Sequence, residues 1–361
     1  MKKFLTVLVV IIILVTLGVF ISKKSRSSSE KASMGQTKTL LGAGSTFGYP
    51  LYSKIFDVYY KKHGIKINYQ AIGSGGGIRQ LKNHVVDFGA SDAFLSDKQL
   101  SEMGAPVVHI ATCMGSVVIM YNLPGSPKLR FTPGALADIF LGNIKKWNDP
   151  RIQKINPGVK LPDMNIIGVH RADGSGTTFI FSNYLSKVSK EWRKKIGYGI
   201  SLTWPQGSLA GKGSPGVSGI VQETPGSIGY VELIYALQNN IPYALIRNKM
   251  GKYVEATLDS TSVAGNVNLP ADMRVSITDT SEKSGYPISG FTWILVYKNQ
   301  DYAGRSKEEA KELVNLLWWI IHQGQKYTKP LYYASLSSAA VKNDEAIIRS
   351  INYNGAPLLS K

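Results

Sequence analysis

Residues 165–187 read NIIGVHRADGSGTTFIFSNYLSK, and the fold prediction rests on this stretch. It begins with an apolar, β-branched segment at 165–170, which is typical of a buried strand, and it ends with a helical pattern at 177–187. Between them, residues 171–178 form a loop of small and polar residues. A strand, a short loop and a helix in succession are the repeating unit of α/β folds with largely parallel sheets.

The same alternation extends along the chain on both sides of this unit. Strand patterns occur at residues 65–72, 85–90, 107–121, 228–232 and 290–297. Helical patterns occur at residues 77–84, 96–103, 132–141 and 307–323. Because the chain has 361 residues, it is long enough for two such α/β lobes.

Composition excludes several classes of protein. Hydrophobic residues make up 43% of the chain and charged residues 18%, which indicates a globular fold. The single cysteine, Cys113, excludes an intrachain disulfide and a Cys-based zinc site, and the histidines show no metal-ligand spacing. We therefore expect no metal and no cofactor. The net charge of +18 indicates an anionic partner, but scattered Lys and Arg without a recognition motif argue against nucleic acid.

The N-terminus carries an apolar run at residues 4–21, preceded by Lys2 and Lys3. As a helix this run is roughly 27 Å long, close to the thickness of a bilayer core. We predict a transmembrane anchor or signal segment at residues 1–22 and a flexible tether at 23–39. No small-residue cleavage pattern follows, so an uncleaved anchor is favoured over a cleaved signal. Under both interpretations we expect the rest of the chain, from residue 40 onward, to lie outside the cytoplasm.

Four loops rich in Gly, Ser and Thr follow predicted strands, at residues 42–47, 73–77, 87–92 and 171–178. A helix N-terminus offers unpaired N–H groups and a partial positive charge, glycines allow close approach, and hydroxyls add donors. Together these features bind an oxyanion, and Arg171 adds a planar cationic fork. The same residue types also cap helices and form turns, so any single loop has a purely structural alternative.

In order along the chain, the blocks GAGSTF, GSGGG, DFGASDA and RADGSGTT resemble the phosphate-binding proteins of high-affinity phosphate ABC transporters. The likeness extends from about residue 40 to near residue 351. It implies a type II periplasmic-binding-protein fold, in which two α/β lobes are joined by two crossover strands. Lobe I would comprise residues 40–118 and 290–361, and lobe II residues 119–289.

The resemblance also implies a set of phosphate ligands: Thr46 and Phe47 through their backbone N–H groups, with Ser74, Asp92, Arg171, Ser175, Gly176 and Thr177. It further implies that Asp173 holds Arg171 in place. Ser45 stands where this family usually has Ala, a difference expected to have no effect. The lipid-anchor cysteine is missing, which leaves the mode of membrane attachment open.

The expected function is capture of inorganic phosphate by a monomer outside the cytoplasm and its delivery to the permease of an ABC importer, without enzymatic activity. Asp92 favours phosphate over sulfate, because an ionised carboxylate only accepts hydrogen bonds and needs a ligand that carries a proton. Two alternatives remain at this level: a binder of another tetrahedral oxyanion such as sulfate, and a phosphoesterase. An esterase would need an activated nucleophile, and no base can be assigned to Ser175.

Overall fold

Strands and helices alternate along the chain in the computed structural model, which describes residues 39–359. The strands are β1 (Thr39–Gly44), β2 (Lys66–Ala71), β3 (Phe88–Ser91), β4 (Val107–Tyr121), β5 (Arg130–Phe131), β6 (Ile167–Arg171), β7 (Leu209–Gly211), β8 (Ser227–Glu232), β9 (Leu245–Arg247), β10 (Tyr253–Val254), β11 (Ser289–Tyr297), β12 (Asn352–Tyr353) and β13 (Ala356–Pro357). The predicted anchor at 1–22 and the tether, apart from Thr39, lie outside the described residues.

The α-helices are α1 (Tyr49–His63), α2 (Ser74–Lys82), α3 (Asp97–Ser101), α4 (Pro133–Phe140), α5 (Pro150–Ile155), α6 (Gly176–Val188), α7 (Lys190–Lys195), α8 (Gly213–Glu223), α9 (Leu233–Gln238), α10 (Leu258–Ala264), α11 (Lys307–Ile321) and α12 (Ser338–Arg349). Two short 3₁₀ turns follow α11, at Gln323–Tyr327 and Lys329–Leu331. From residue 39 to residue 359, no helix is both long enough and apolar enough to span a membrane.

Eight of the described strands form the main sheet, in the order β2-β1-β3-β11-β4-β8-β6-β7. The pairs β1–β2, β1–β3, β6–β7 and β6–β8 are parallel. The pairs β3–β11, β11–β4 and β4–β8 are antiparallel. The sheet therefore has a parallel group at each side, and β11 and β4 lie between the two groups.

Strand β4 pairs with β11 along its first part and with β8 along its last part, so it connects the two halves of the sheet. Its residues 107–116 pair with β11, and its last five residues, 117–121, pair with β8. All nine residues of β11 and all six of β8 are buried, as expected for strands in the middle of a covered sheet. The change of partner falls within two residues of the predicted lobe boundary at 118/119. The division into lobes itself stays a prediction.

Most predicted elements agree with the structure to within one or two residues at each end, and side-chain caps explain why several helices begin where they do. Ser96 caps α3 in a reciprocal pair with Gln99, and Ser306 caps α11 in the same way with Glu309. The prediction for 77–84 was less accurate, since α2 begins at Ser74. The glycine-rich segment forms the first turn of this helix rather than a loop before it.

Glycine is required in that first turn because α2 packs directly on β1. A Cβ atom on Gly77 would lie 2.4 Å from the carbonyl oxygen of Ala43 and 2.6 Å from Cα of Gly44. Both atoms belong to the backbone, so no side-chain rotation can relieve the overlap.

We predict that Gly77→Ala destabilises the protein by about 1–3 kcal/mol, the usual range for overpacking a buried site. The matched control is Gly134→Ala in α4, where a Cβ atom would meet nothing within 4 Å. That change should be neutral or should stabilise the protein by about 0.5–1 kcal/mol, because alanine favours helices. Urea denaturation of both variants measures the difference, and equal stabilities would contradict the close packing of α2 on β1.

Candidate functional site

The four predicted loops all lie at carboxyl ends of strands in the two parallel groups. β1 ends at Gly44, β2 at Ala71, β3 at Ser91 and β6 at Arg171. The third loop differs from the prediction, since Phe88–Ser91 is a fully buried strand and only Asp92 follows it. Carboxyl ends of parallel strands are the usual place for ligand sites in α/β sheets.

Asp92 is a buried carboxylate whose partners are neutral hydroxyl groups. Its side chain is 2% exposed. Oδ1 accepts a hydrogen bond of 2.5 Å from the Ser45 hydroxyl, and Oδ2 accepts a longer one of 3.3 Å from the Ser74 hydroxyl. Burial raises the pKa of Asp92 to about 6, against the opposing effects of hydrogen bonds from Ser45, Thr292 and Ser74 and the charge of Arg171.

Arg171 is buried too, and Asp173 holds it from one side. Its Nε donates to Asp173 Oδ1 at 2.8 Å and its Nη2 to Asp173 Oδ2 at 2.5 Å, a two-point contact that fixes the plane of the guanidinium group. The N–H group of Gly213 donates to Asp173 Oδ1 at 2.9 Å. Burial favours a higher pKa for Asp173, but the Arg171 contacts and this N–H group outweigh it and hold the pKa below its usual value.

Ser74 connects Asp92 with the start of α6. Its oxygen accepts hydrogen bonds from the N–H groups of Asp92 at 3.2 Å and of Gly176 at 3.1 Å. Two incoming bonds leave the hydroxyl hydrogen free to be donated, either to Asp92 or to a ligand. A Cβ atom on Gly176 would lie 2.5 Å from Ser74 Oγ and 2.6 Å from Asp92 Oδ2, so only glycine allows this approach.

The remaining predicted ligands of the fourth loop belong to the first turn of α6. Ser175 is its N-cap, and the Ser175 oxygen accepts a hydrogen bond from the Thr178 N–H group at 3.1 Å. Thr177 Oγ1 accepts one from Arg171 Nη1 at 3.3 Å. Both hydroxyl hydrogens stay available for donation, next to the positive end of the helix dipole.

Thr46 and Phe47 supply backbone N–H groups from the first loop. Their carbonyl oxygens accept hydrogen bonds of 2.5 Å from Tyr235 and Tyr333, respectively. Within the described part of the chain, neither N–H group has a hydrogen-bond acceptor. Because buried N–H groups are nearly always paired, these two are expected to bind a ligand.

Several residues at this site were not predicted, among them Ser214 and Ser45. Ser214, in α8, donates its N–H group to Thr46 Oγ1 at 3.2 Å, which ties the first loop to the start of that helix. Ser45, expected to have no effect, donates to Asp92. The residue types contained no signal for either contact, since both depend on which loops meet in the folded chain.

A cavity of about 210 Å³ opens beside this cluster and is lined in part by Thr46, Asp173 and Lys212. A larger cavity of about 500 Å³ is lined by His170 and Trp204, whose rings stack with centroids 4.9 Å apart. None of the predicted phosphate ligands lines that second cavity. Among residues 39–359, no group of three or more His, Cys, Asp and Glu is placed to hold a metal ion.

Comparison with known proteins identifies the family of the chain. The family model of a PBP superfamily domain matches residues 29–318. The phosphate-binding protein PstS of Xylella fastidiosa is 44% identical over 329 residues, which cover 89% of this chain and 88% of that protein. The chain belongs to the PstS family of phosphate-binding proteins.

Solved structures resemble this PstS-family chain in fold. The phosphate binding protein from Stenotrophomonas maltophilia matches it with a TM-score of 0.67 at 16% identity, covering 88% of this chain and 97% of that one. An ABC-type phosphate transport receptor from Vibrio cholerae matches with a TM-score of 0.54 at 17% identity, covering 82% and 100%. The predicted α/β periplasmic-binding-protein fold is confirmed.

The burial of Asp92 predicts an unusual dependence of stability on pH. Because its pKa lies at about 6 in the folded protein and at 3.8 without burial, the folded protein holds this proton more tightly than the unfolded chain. Folding is favoured most below pH 4, and this contribution is lost as the pH rises through 6. The difference corresponds to about 3 kcal/mol, at 1.36 kcal/mol per pKa unit.

Asp92→Asn removes this titration, so we predict that wild type loses about 2 kcal/mol relative to the variant between pH 4 and pH 7. Urea denaturation of both proteins without phosphate measures the difference at each pH. Groups that titrate equally in the two proteins cancel. Parallel stability curves would mean that Asp92 is not a buried, titrating carboxyl group.

Proposed function

We propose that the protein captures inorganic phosphate outside the cytoplasm, at the cluster around Asp92 and Arg171, and delivers it to the permease of an ABC importer. The observation that carries this proposal is the pairing of a buried cation with a buried acceptor in one cluster. A hydrogen phosphate ion suits both, since its oxygens accept from Arg171 while its proton is donated to Asp92.

The donors around the cluster suit a tetrahedral anion. The N–H groups of Thr46 and Phe47 come from one side, and the hydroxyls of Ser74, Ser175 and Thr177 bring free hydrogens. The N–H group of Thr177 lies at the start of α6, beside that of Gly176, which donates to Ser74 Oγ, and Arg171 supplies a full positive charge. These donors replace the hydrogen bonds from water that a phosphate ion loses when it is buried. The replacement is necessary because an unpaired buried charge is very unfavourable.

Selection against sulfate follows from Asp92. Sulfate at neutral pH carries no proton, so its oxygen would face an ionised carboxylate oxygen in a desolvated site. Leaving two acceptors opposed costs at least about 1–3 kcal/mol, the range for an unsatisfied buried polar group. The repulsion between the two charges adds to this difference.

The protein acts as a binder and not as an enzyme. The Ser175 oxygen is the cap of α6 and accepts the Thr178 N–H group, which is a structural task. The relative from Xylella fastidiosa is named for phosphate binding, and the Vibrio cholerae structure is an ABC-type phosphate transport receptor. The first name supports phosphate binding, and the second supports a role in transport.

The proposal includes two lobes, with residues 40–118 and 290–361 in one and 119–289 in the other. Under this division the ligands Thr46, Phe47, Ser74 and Asp92 belong to the first lobe, and those at 171–177 to the second. Several hydrogen bonds would cross the cleft, among them Gly75 N–H to Gly174 C=O at 2.8 Å, Gly176 N–H to Ser74 Oγ at 3.1 Å and Ser214 N–H to Thr46 Oγ1 at 3.2 Å. Phosphate would enter before these contacts form and would be enclosed by them.

Membrane attachment through residues 1–22 is part of the same proposal. An uncleaved apolar segment followed by the polar tether at 23–39 would keep the body close to its permease, without the lipid-anchor cysteine of related proteins. Each chain would then work as a monomer that carries one phosphate.

We predict that the full-length chain in detergent, freed of carried-over phosphate, binds one phosphate per chain with a micromolar or lower Kd. Arg171→Ala should weaken binding about ten- to a hundredfold, the value of a charge-assisted hydrogen bond. The matched control is Arg151→Ala, because Arg151 also pairs with an aspartate two residues away, Asp149, but its side chain is 49% exposed.

Isothermal titration measures all three proteins. The control should change the Kd less than about twofold, since exposed ion pairs contribute little. Absence of phosphate binding by the wild-type protein, or equal effects of the two substitutions, would contradict the proposed function.

A further inference from the structure

Ser45 is held in a fixed position directly behind the Asp92 carboxylate. The residue follows the last residue of β1 and is completely buried. Its N–H group donates to the carbonyl of Ala90 at 2.9 Å, and its side-chain oxygen accepts from the N–H group of Gly48 at 2.9 Å. With its oxygen and backbone held in this way, the hydroxyl hydrogen is directed to Asp92 Oδ1 at 2.5 Å.

This contact makes the two carboxylate oxygens of Asp92 unequal. Oδ1 is occupied by the short bond from Ser45. Oδ2 accepts the longer contact of 3.3 Å from Ser74, and it faces the Gly176 backbone at the start of α6. Oδ2 is therefore the acceptor that remains for the proton of a bound anion.

We propose that the Ser45 hydroxyl strengthens the selection of phosphate over sulfate, because its hydrogen bond favours the ionised form of Asp92 and leaves Oδ2 as an acceptor that only a protonated anion can satisfy. The inference rests on the proposed function, since it assigns a specificity role at the same site. It concerns a residue that does not itself need to touch the ligand, so Ser45 is a positioning residue.

The groups that surround Asp92 leave few other means of keeping it ionised. Arg171 is the one cation among the groups that shift its pKa, and Asp173 already binds that guanidinium group at two points. Burial also raises the pKa values of the other titratable groups that face Asp92, which are Glu232, Cys113, Tyr52, Tyr69, Tyr235 and Tyr333. Of the interactions that lower the pKa of Asp92, the hydrogen bond from Ser45 is the largest.

Loss of this hydrogen bond has opposite consequences for the two anions. Without Ser45 the buried carboxyl binds a proton at higher pH and then donates a hydrogen bond instead of accepting one. Sulfate binding requires this protonated form, so its Kd rises tenfold for each pH unit above the pKa of Asp92. Phosphate supplies its own proton and depends less on the state of Asp92.

The test is a set of paired sulfate and phosphate titrations at constant ionic strength. It uses the full-length wild type, Ser45→Ala and the control Ser218→Ala, each at pH 5.5, 7 and 8. Ser218 is buried in α8, and its hydroxyl has no hydrogen-bond partner in the part of the chain that the structure describes. The control therefore removes the same atom from a buried site without touching Asp92.

At pH 8, Ser45→Ala should bind sulfate about tenfold more tightly than wild type for each unit by which the pKa of Asp92 rises. The phosphate Kd should change less. At pH 5.5, where Asp92 is largely protonated in both proteins, the sulfate difference should nearly disappear. Ser218→Ala should behave as wild type at every pH.

A folded Ser45→Ala variant with the wild-type sulfate profile would overturn the proposal and leave Ser45 as a turn residue. If this variant does not fold, Ser45→Cys retains a weak donor of similar shape and should give an intermediate shift; a wild-type ratio for that variant overturns the proposal equally. Wild type that binds no phosphate would refute the proposed function itself. Wild type that selects phosphate while Ser45→Ala is unchanged would refute only this inference.

Discussion

The carboxylate of Asp92 is buried without a cation of its own, and much of the surrounding structure serves to keep it there. The positive charge of Arg171 lowers the pKa of Asp92, but the planar guanidinium group is bound by Asp173. Hydrogen bonds from hydroxyl groups provide the remaining compensation, the largest from Ser45, followed by Thr292 and then Ser74. A charge in such a place is unfavourable for folding, which agrees with the proposed role of Asp92 as an acceptor for bound phosphate.

The sheet provides the geometry for this arrangement. Antiparallel β4 and β11 lie between two parallel groups, so loops at the carboxyl ends of β1, β2, β3 and β6 can meet in one place. Glycines allow these loops to approach within hydrogen-bond distance of each other, most clearly at Gly176, where any side chain would collide with Ser74 and Asp92. Ser74 Oγ and the Asp92 carboxylate are therefore both hydrogen-bonding partners and the atoms that leave room only for glycine at position 176.

The sequence predicted the architecture well because strand and loop patterns are local. The strand at 107–121 and the loops after β1, β2 and β6 could be found from apolar runs and small residues alone. The bond between Arg171 and Asp173 is also local, since they are two positions apart in the sequence, although only the family resemblance suggested it. The start of α2 was misplaced because glycine usually disfavours helices, and here close packing against β1 requires it.

Contacts between distant loops could not be predicted in this way. Ser45 and Asp92 are 47 residues apart, and Thr46 and Ser214 are 168 residues apart. Their meeting depends on strand order and on the direction of each side chain, which composition and spacing do not contain. Family resemblance did not help with Ser45 either, because this chain differs from the usual residue at that position.

The most direct test of the account is the phosphate-to-sulfate affinity ratio of Asp92→Asn, compared with wild type at one pH and ionic strength. The amide has the size of the carboxylate but offers an N–H donor in place of one acceptor oxygen. The account predicts that the ratio shrinks, mainly because sulfate binds more tightly to the variant. An unchanged ratio in a folded variant would mean that Asp92 has a structural role and that selectivity arises elsewhere.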